Sequence, residues 1–290
     1  MTSLDASIGE TFGDRKRQWG YSRPPVIVVL ATLVLITVVV LVAFPGVAPY
    51  DASYINPGDA LQGPSSRHLL GTDQLGRDIL SRVIFGARTA FLAPLALAGI
   101  TILLGLVLGL LAGFAGGWVD SVISRIVDVL YSIPALMVAI IVVGVTGGGL
   151  VLALLVLIVF NLPTNVRLIR ASVLERVRLP YIEAARTTGL SNAEILVNQL
   201  IPALVPLLVT TFFLQFTYGI VEVSSLSFLG LGVPPGSPDW GRMMFENRAL
   251  LSSNMWATAA PGILLVLLAV SANVIGDWVF ARHESEVRER

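Results

Sequence analysis

The side chains in this sequence that could act on a solute or a cofactor are few and widely spaced. Lys16 is the only lysine, and no Gly-x-x-x-x-Gly-Lys-Ser/Thr stretch occurs, so the chain cannot form the usual lysine-dependent nucleotide site. There is no Gly-x-Ser-x-Gly nucleophile elbow. The absence of cysteine removes thiolate metal sites, thiol nucleophiles and disulfides. His68 and His283 are far apart, and the topology derived below puts them on opposite sides of a membrane, which excludes a two-His metal site within one chain. What remains is ion-pair and docking chemistry. Arg77, Asp78 and Arg82 are close enough to pair with one another at an interface, or to serve gating or receptor contact; Asp78 and Arg82 stand at i, i+4. Arg125 and Asp128, at i, i+3, have the spacing of a structural ion pair. Asp277 lies near the end of the last apolar run, where a carboxylate is costly unless it is paired or reaches water.

The densest polar stretch within the apolar part of the chain is residues 179–202, and its punctuation predicts two short helices with a hinge. Pro180 suits a first helical turn, where its missing N–H would be unpaired anyway, and Gly189 can take the left-handed geometry that ends a helix. Ser191 followed three residues later by Glu194 is the capping-box pattern. On the first helix Tyr181, Ala184, Ala185 and Thr188 recur at i, i+3, i+4 and i+7, one small-residue face that would allow close approach by another protein.

Those residues must be positioned by membrane helices. With 55% hydrophobic and only 13% charged residues in 290, the chain is too apolar for a water-exposed surface. A net charge of zero argues against a nucleic-acid partner. The fold class is therefore all-α, a polytopic protein of six transmembrane helices whose solvent is the lipid bilayer. A polar N-terminal segment, 1–25, precedes a first span at 26–44, too long for a signal-peptide core and read as a retained helix. A polar loop at 45–88 follows, expected to end in an amphipathic helix at the membrane surface. A five-helix core, 89–281, has spans near 89–114, 127–145, 150–168, 203–223 and 257–280, and 282–290 form a tail. Gly105, Gly109 and Gly113 in the second span make small-xxx-small patterns for close helix packing. Placing the N-terminus in the cytoplasm puts 13 of the 19 Lys and Arg residues on that side, so the positive-inside rule favours an N-in, C-in arrangement. Residues 179–202 are then cytoplasmic, between the fourth and fifth spans.

On these residues a resemblance can be stated. Glu183-Ala184-Ala185, then Gly189 and Pro202, resembles the EAA loop of membrane-spanning subunits of bacterial ABC importers. The run from Leu70 through Gly-Thr-Asp-Gln-Leu-Gly-Arg-Asp to Arg88, the Leu226-Ser-Phe-Leu-Gly-Leu-Gly-Val-Pro-Pro235 segment with Asp239-Trp-Gly241, and Asn273-Val-Ile-Gly-Asp277 are similar to the C-type permeases of dipeptide, oligopeptide and nickel importers. Two positions depart from the pattern: Gln199 replaces a usual Ile, and Val223 stands where an acidic residue is common, with Glu222 one residue earlier.

The resemblance implies a type I ABC importer transmembrane fold in the bacterial cytoplasmic membrane. It implies a non-catalytic subunit that binds no cofactor itself, with ATP and Mg used by two partner ATPase subunits. A homologous second permease and an extracytoplasmic solute-binding protein complete the expected complex. ATPase coupling is expected at Tyr181, Glu183, Ala184, Ala185, Arg186, Gly189 and Pro202. The implied solute is a di- or oligopeptide, with nickel or another small solute as the alternative. A secondary transporter driven by an ion gradient would instead need mid-span ionisable residues and an inverted repeat, and neither is evident.

Overall fold

The computed structural model describes residues 24–288, with side chains to residue 282. The basic N-terminal segment and the end of the tail fall outside the described residues, as does the side chain of His283. Among the described residues the only non-helical pairing is one isolated bridge between Thr72 and Asp78. Ten α-helices carry the fold: α1 Val26–Ala43, α2 Ile79–Ala115, α3 Gly117–Tyr131, α4 Ala135–Thr146, α5 Leu150–Arg176, α6 Pro180–Thr187, α7 Asn192–Ile195, α8 Ile201–Phe228, α9 Trp240–Glu246 and α10 Trp256–Arg288. Helices α1, α2, α5, α7–α8 and α10 are each long and apolar enough to cross a membrane, and the bent pair α3–α4, counted as one unit, brings the spans to six.

Two expectations change here. The third span is a pair of helices meeting at 71° rather than one rod. Pro134 explains the break, because it has no N–H to continue the ladder and an extended ψ of 122° that caps α4. There is also no separate amphipathic helix before the second span. Asp78 caps α2 directly, its carboxylate accepting from Ser81 N at 2.8 Å, and α2 then runs unbroken through 37 residues.

The frame is built on α2 and α5, which run parallel and make the most extensive helix contact in the molecule. Glycines permit the approach. A Cβ at Gly105 would lie 2.8 Å from Asn165 Cβ, at Gly109 2.8 Å from Ile169 Cβ, and at Gly113 2.8 Å from Val173 Cβ. The packing of small residues thus replaces the hydrophobic drive that lipid cannot supply. Gly109→Val is expected to destabilise the permease by about 1–3 kcal/mol through overpacking, read as a lower unfolding temperature of the purified complex in detergent. On the outer half α8 and α10 join α2, with Phe216, Ile220, Leu268 and Ala272 against Ile79, Val83 and Ala90. Helix α1 lies on α10 and α2, contributing Val38 to the same core, and leaves most of its surface for lipid.

Candidate functional site

At the end of the bundle that the positive-inside reading places in the cytoplasm, α6 is clamped to the frame. Ile182 and Ala185 are buried with Ile195, Leu200 and Leu204 against Ile169 and Val173 of α5 and the Phe114 end of α2. The opposite side of α6 presents Tyr181, Glu183 and Ala184 to solvent, and the Glu183 carboxylate makes no ion pair or hydrogen bond among the described residues. The expected four-residue docking face is therefore divided. Ala185 turns inward with Ile182 because an isoleucine in contact with the core outweighs the small-residue stripe in setting the helix's rotation. Arg186 lies on the outer side, its guanidinium carbon 5.9 Å from the Phe114 ring centroid.

Gly189 ends this element at φ +85°, a conformation that costs an L-residue about 1–2 kcal/mol. The capping box forms as its spacing predicts: Ser191 Oγ accepts from Glu194 N at 3.3 Å, and the Glu194 carboxylate accepts from Ser191 N at 2.8 Å. The second short helix is not freestanding. Through a five-residue π turn, Leu196–Leu200, it runs on into α8. Pro202 accounts for the turn, since it cannot donate to the carbonyl four residues back and its ring crowds that carbonyl unless the helix widens.

At the opposite end of the bundle a buried clasp joins the start of α2 to the α8–α10 loop. Arg77 Nε donates to Asp73 at 2.7 Å, and Arg77 and Arg82 both reach Glu246, at 3.3 and 3.4 Å. The two guanidiniums also donate to Gly236 O, at 3.2 and 3.0 Å, and Arg82 to Ser237 O at 3.2 Å. Arg242 holds the other Glu246 oxygen at 2.9 Å. Burial pushes the Glu246 carboxyl up, but the Gly236 N–H and the Arg242, Arg82 and Arg77 guanidiniums more than offset this and hold it below the ordinary range. Asp239 caps α9 from a buried position, and there burial prevails over the N–H donors and raises its carboxyl. Beside the clasp, Trp240 is wholly buried and donates Nε1–H to Val83 O at 2.8 Å. Trp240→Ala is expected to cost about 3–5 kcal/mol and Trp240→Phe about 1 kcal/mol, measured by thermal unfolding of the purified complex.

The sequence-derived ion pairs thus need correcting. Arg77, Asp78 and Arg82 do not pair with one another. Asp78 is taken by its capping role and by His68 Nδ1 at 2.9 Å, while both arginines find acids elsewhere in the loops. Arg125 is exposed and does not meet Asp128, which binds Arg167 of α5 at 2.6 Å. A second cross-helix pair, Asp120 with Arg170, lies beside it. In both cases the partner helix offers an arginine at better reach than the i, i+3 neighbour. Asp277 is exposed on α10 with no ion pair among the described residues. Spacing alone does not single out Asp73, Asp120 and Glu246 as partners, because their arginines are distant in sequence or adjacent to several acids at once.

Taken together, a bundle of long apolar helices with one short exposed helix seated on the ends of its spans defines a polytopic membrane protein. Comparison with known proteins makes this specific. The chain belongs to the family described as binding-protein-dependent transport system inner membrane component, which matches residues 105–288. It is similar to the di/tripeptide transport system permease protein DppC of Pseudomonas aeruginosa (strain UCBPP-PA14), 35% identical over 80% of this chain and 79% of that protein. It is 36% identical to the glutathione transport system permease protein GsiD of Escherichia coli O6:K15:H31, over 85% of this chain and 82% of that protein. The fold is similar to that in the inward-facing structure of the MetNI methionine ABC transporter (CY5 native crystal form), with TM-score 0.51 and 22% identity over 68% of this chain and 95% of that one. The chain is a permease subunit of an ABC importer, with a type I importer fold, and a multi-pass component of the bacterial inner membrane.

Proposed function

We infer that this chain is one non-catalytic half of a peptide-importing permease, working with a homologous second permease, two ATPases that bind and hydrolyse ATP with Mg, and an extracytoplasmic binding protein. The observation that carries the coupling role is α6, exposed along Tyr181, Glu183 and Ala184 and buried along Ile182 and Ala185. A helix docked in a partner transmits motion only if its other side cannot slip, and the buried side seats α6 on the ends of α2 and α5 together. Closure of the ATPases would move α6 and rock the spans attached to it. The peptide assignment draws on the transport-system names of the relatives; nickel is the alternative solute. Uptake of labelled di- and oligopeptides and of nickel, in strains with and without this chain, tests it. Peptide uptake that depends on the chain supports the assignment, and chain-dependent nickel uptake with unchanged peptide uptake refutes it. Purification through a tag on this chain tests the assembly, which requires an ATPase and a second permease in the same complex.

A further inference from the structure

The exposed side of α8 is not uniformly apolar. Tyr218, Glu222 and Ser225 follow one another at i, i+4 and i+7, so they share a face; Tyr218 is 63% exposed and the other two are partly so. A carboxylate inside a span is costly against lipid and marks a polar path or a partner. Glu222 is also held in place, because Asn161 of α5 donates Nδ2–H to its Oε2 at 2.8 Å while donating to Leu157 O at 3.0 Å. The second carboxylate oxygen has no hydrogen-bond partner among the described residues.

One to two helical turns along from this pair the core stays polar. Thr101, Asn165 and Gln215 are 0, 1 and 7% exposed, and Thr101 Oγ1, Asn165 Oδ1 and Gln215 Nε2 have no hydrogen-bond partner among the described residues. They belong to one locus. Gly105, one turn from Thr101, abuts Asn165, and Gly219, one turn from Gln215, abuts Leu97, one turn from Thr101. Buried polar groups left unpaired between three spans are costly, and a polar species entering there would satisfy them.

We propose that Glu222, positioned by Asn161 and backed by Thr101, Asn165 and Gln215, is a solute-contact site within the span that takes the ammonium group of the transported molecule. This rests on the peptide-import reading, which supplies a free N-terminal amine as the cation. The carboxylate offers the acceptor, Tyr218 and Ser225 flank it on the same face, and the Asn161 amide engages one of its two oxygens and leaves the other to accept.

The test uses the complete complex in liposomes with its binding protein and a labelled peptide of free N-terminus. In Glu222→Gln the concentration giving half-maximal uptake is expected to rise about tenfold or more, with partial recovery in Glu222→Asp. Subunit ratio and basal ATP hydrolysis stay at wild-type values. Unchanged concentration dependence in Glu222→Gln overturns the proposal. As a check independent of any variant, a peptide carrying a photo-crosslinking second residue is irradiated during turnover of the wild-type complex. Adducts mapping to Tyr218–Ser225 support the site, and adducts confined to other helices overturn it. A wild-type complex that moves no peptide overturns the peptide reading and this proposal with it, whereas peptide uptake insensitive to Glu222 overturns this proposal alone.

Discussion

Glu183→Lys is expected to leave this permease inserted and folded while removing the ATPase from the purified complex. The Glu183 side chain is exposed and makes no ion pair among the described residues, so its reversal disturbs no contact described there except a favourable position in the first turn of α6. A docking groove that accepts a carboxylate would meet a cation instead, at a cost of about 2–5 kcal/mol, or roughly thirtyfold or more in affinity. Co-purified ATPase per permease is the readout, and a wild-type ratio with normal solute-stimulated hydrolysis would refute the coupling role. Ile182→Asp provides the contrast. It places a charge in the core that seats α6, so the unfolding temperature should drop together with coupling.

The second large effect belongs to the clasp. Arg82→Ala is expected to destabilise the permease by about 3–5 kcal/mol, because it leaves Glu246 and Asp73 short of a buried partner. Arg82→Lys should lose less, since it keeps a buried cation beside Glu246 and Asp73. An unfolding temperature in Arg82→Ala equal to wild type would remove the clasp from the account. Acid should reproduce part of the effect. Glu246 is held below its ordinary value, so its contribution is present above the ordinary carboxylate range and is lost as pH falls through the depressed value.

Much of this was legible in the residues. The spans announced themselves as apolar runs, and Pro180, Gly189 and the Ser191–Glu194 pair marked α6 and the start of α7, because caps and breakers act through neighbours in sequence. The bend at Pro134 was visible only as a proline; the run around it is apolar throughout, and composition does not report direction. Periodicity identified faces on α6 but not which one the core would claim, a choice made by contacts of Ile182 with α5 and α2. The ion pairs were the least legible. Arg167 reaches Asp128 and Arg82 reaches Glu246 only once the helices have assembled, so local spacing suggested nearer partners that the backbone does not favour.

The glycine-lined seam between α2 and α5 also bears on how the protein is made. Its halves lie about 60 residues apart, so at about 5–20 residues per second the ribosome delivers Asn165 roughly 3–12 s after Gly105. During that interval α2 sits in the bilayer with its glycine face open, while α3 and α4 emerge between it and its mate. Helix α1 waits longer still, for α10 at the other end of the chain. Nascent α2 is therefore the segment most open to mispairing with another subunit's helices, and the stage at which an insertion chaperone would have most to protect.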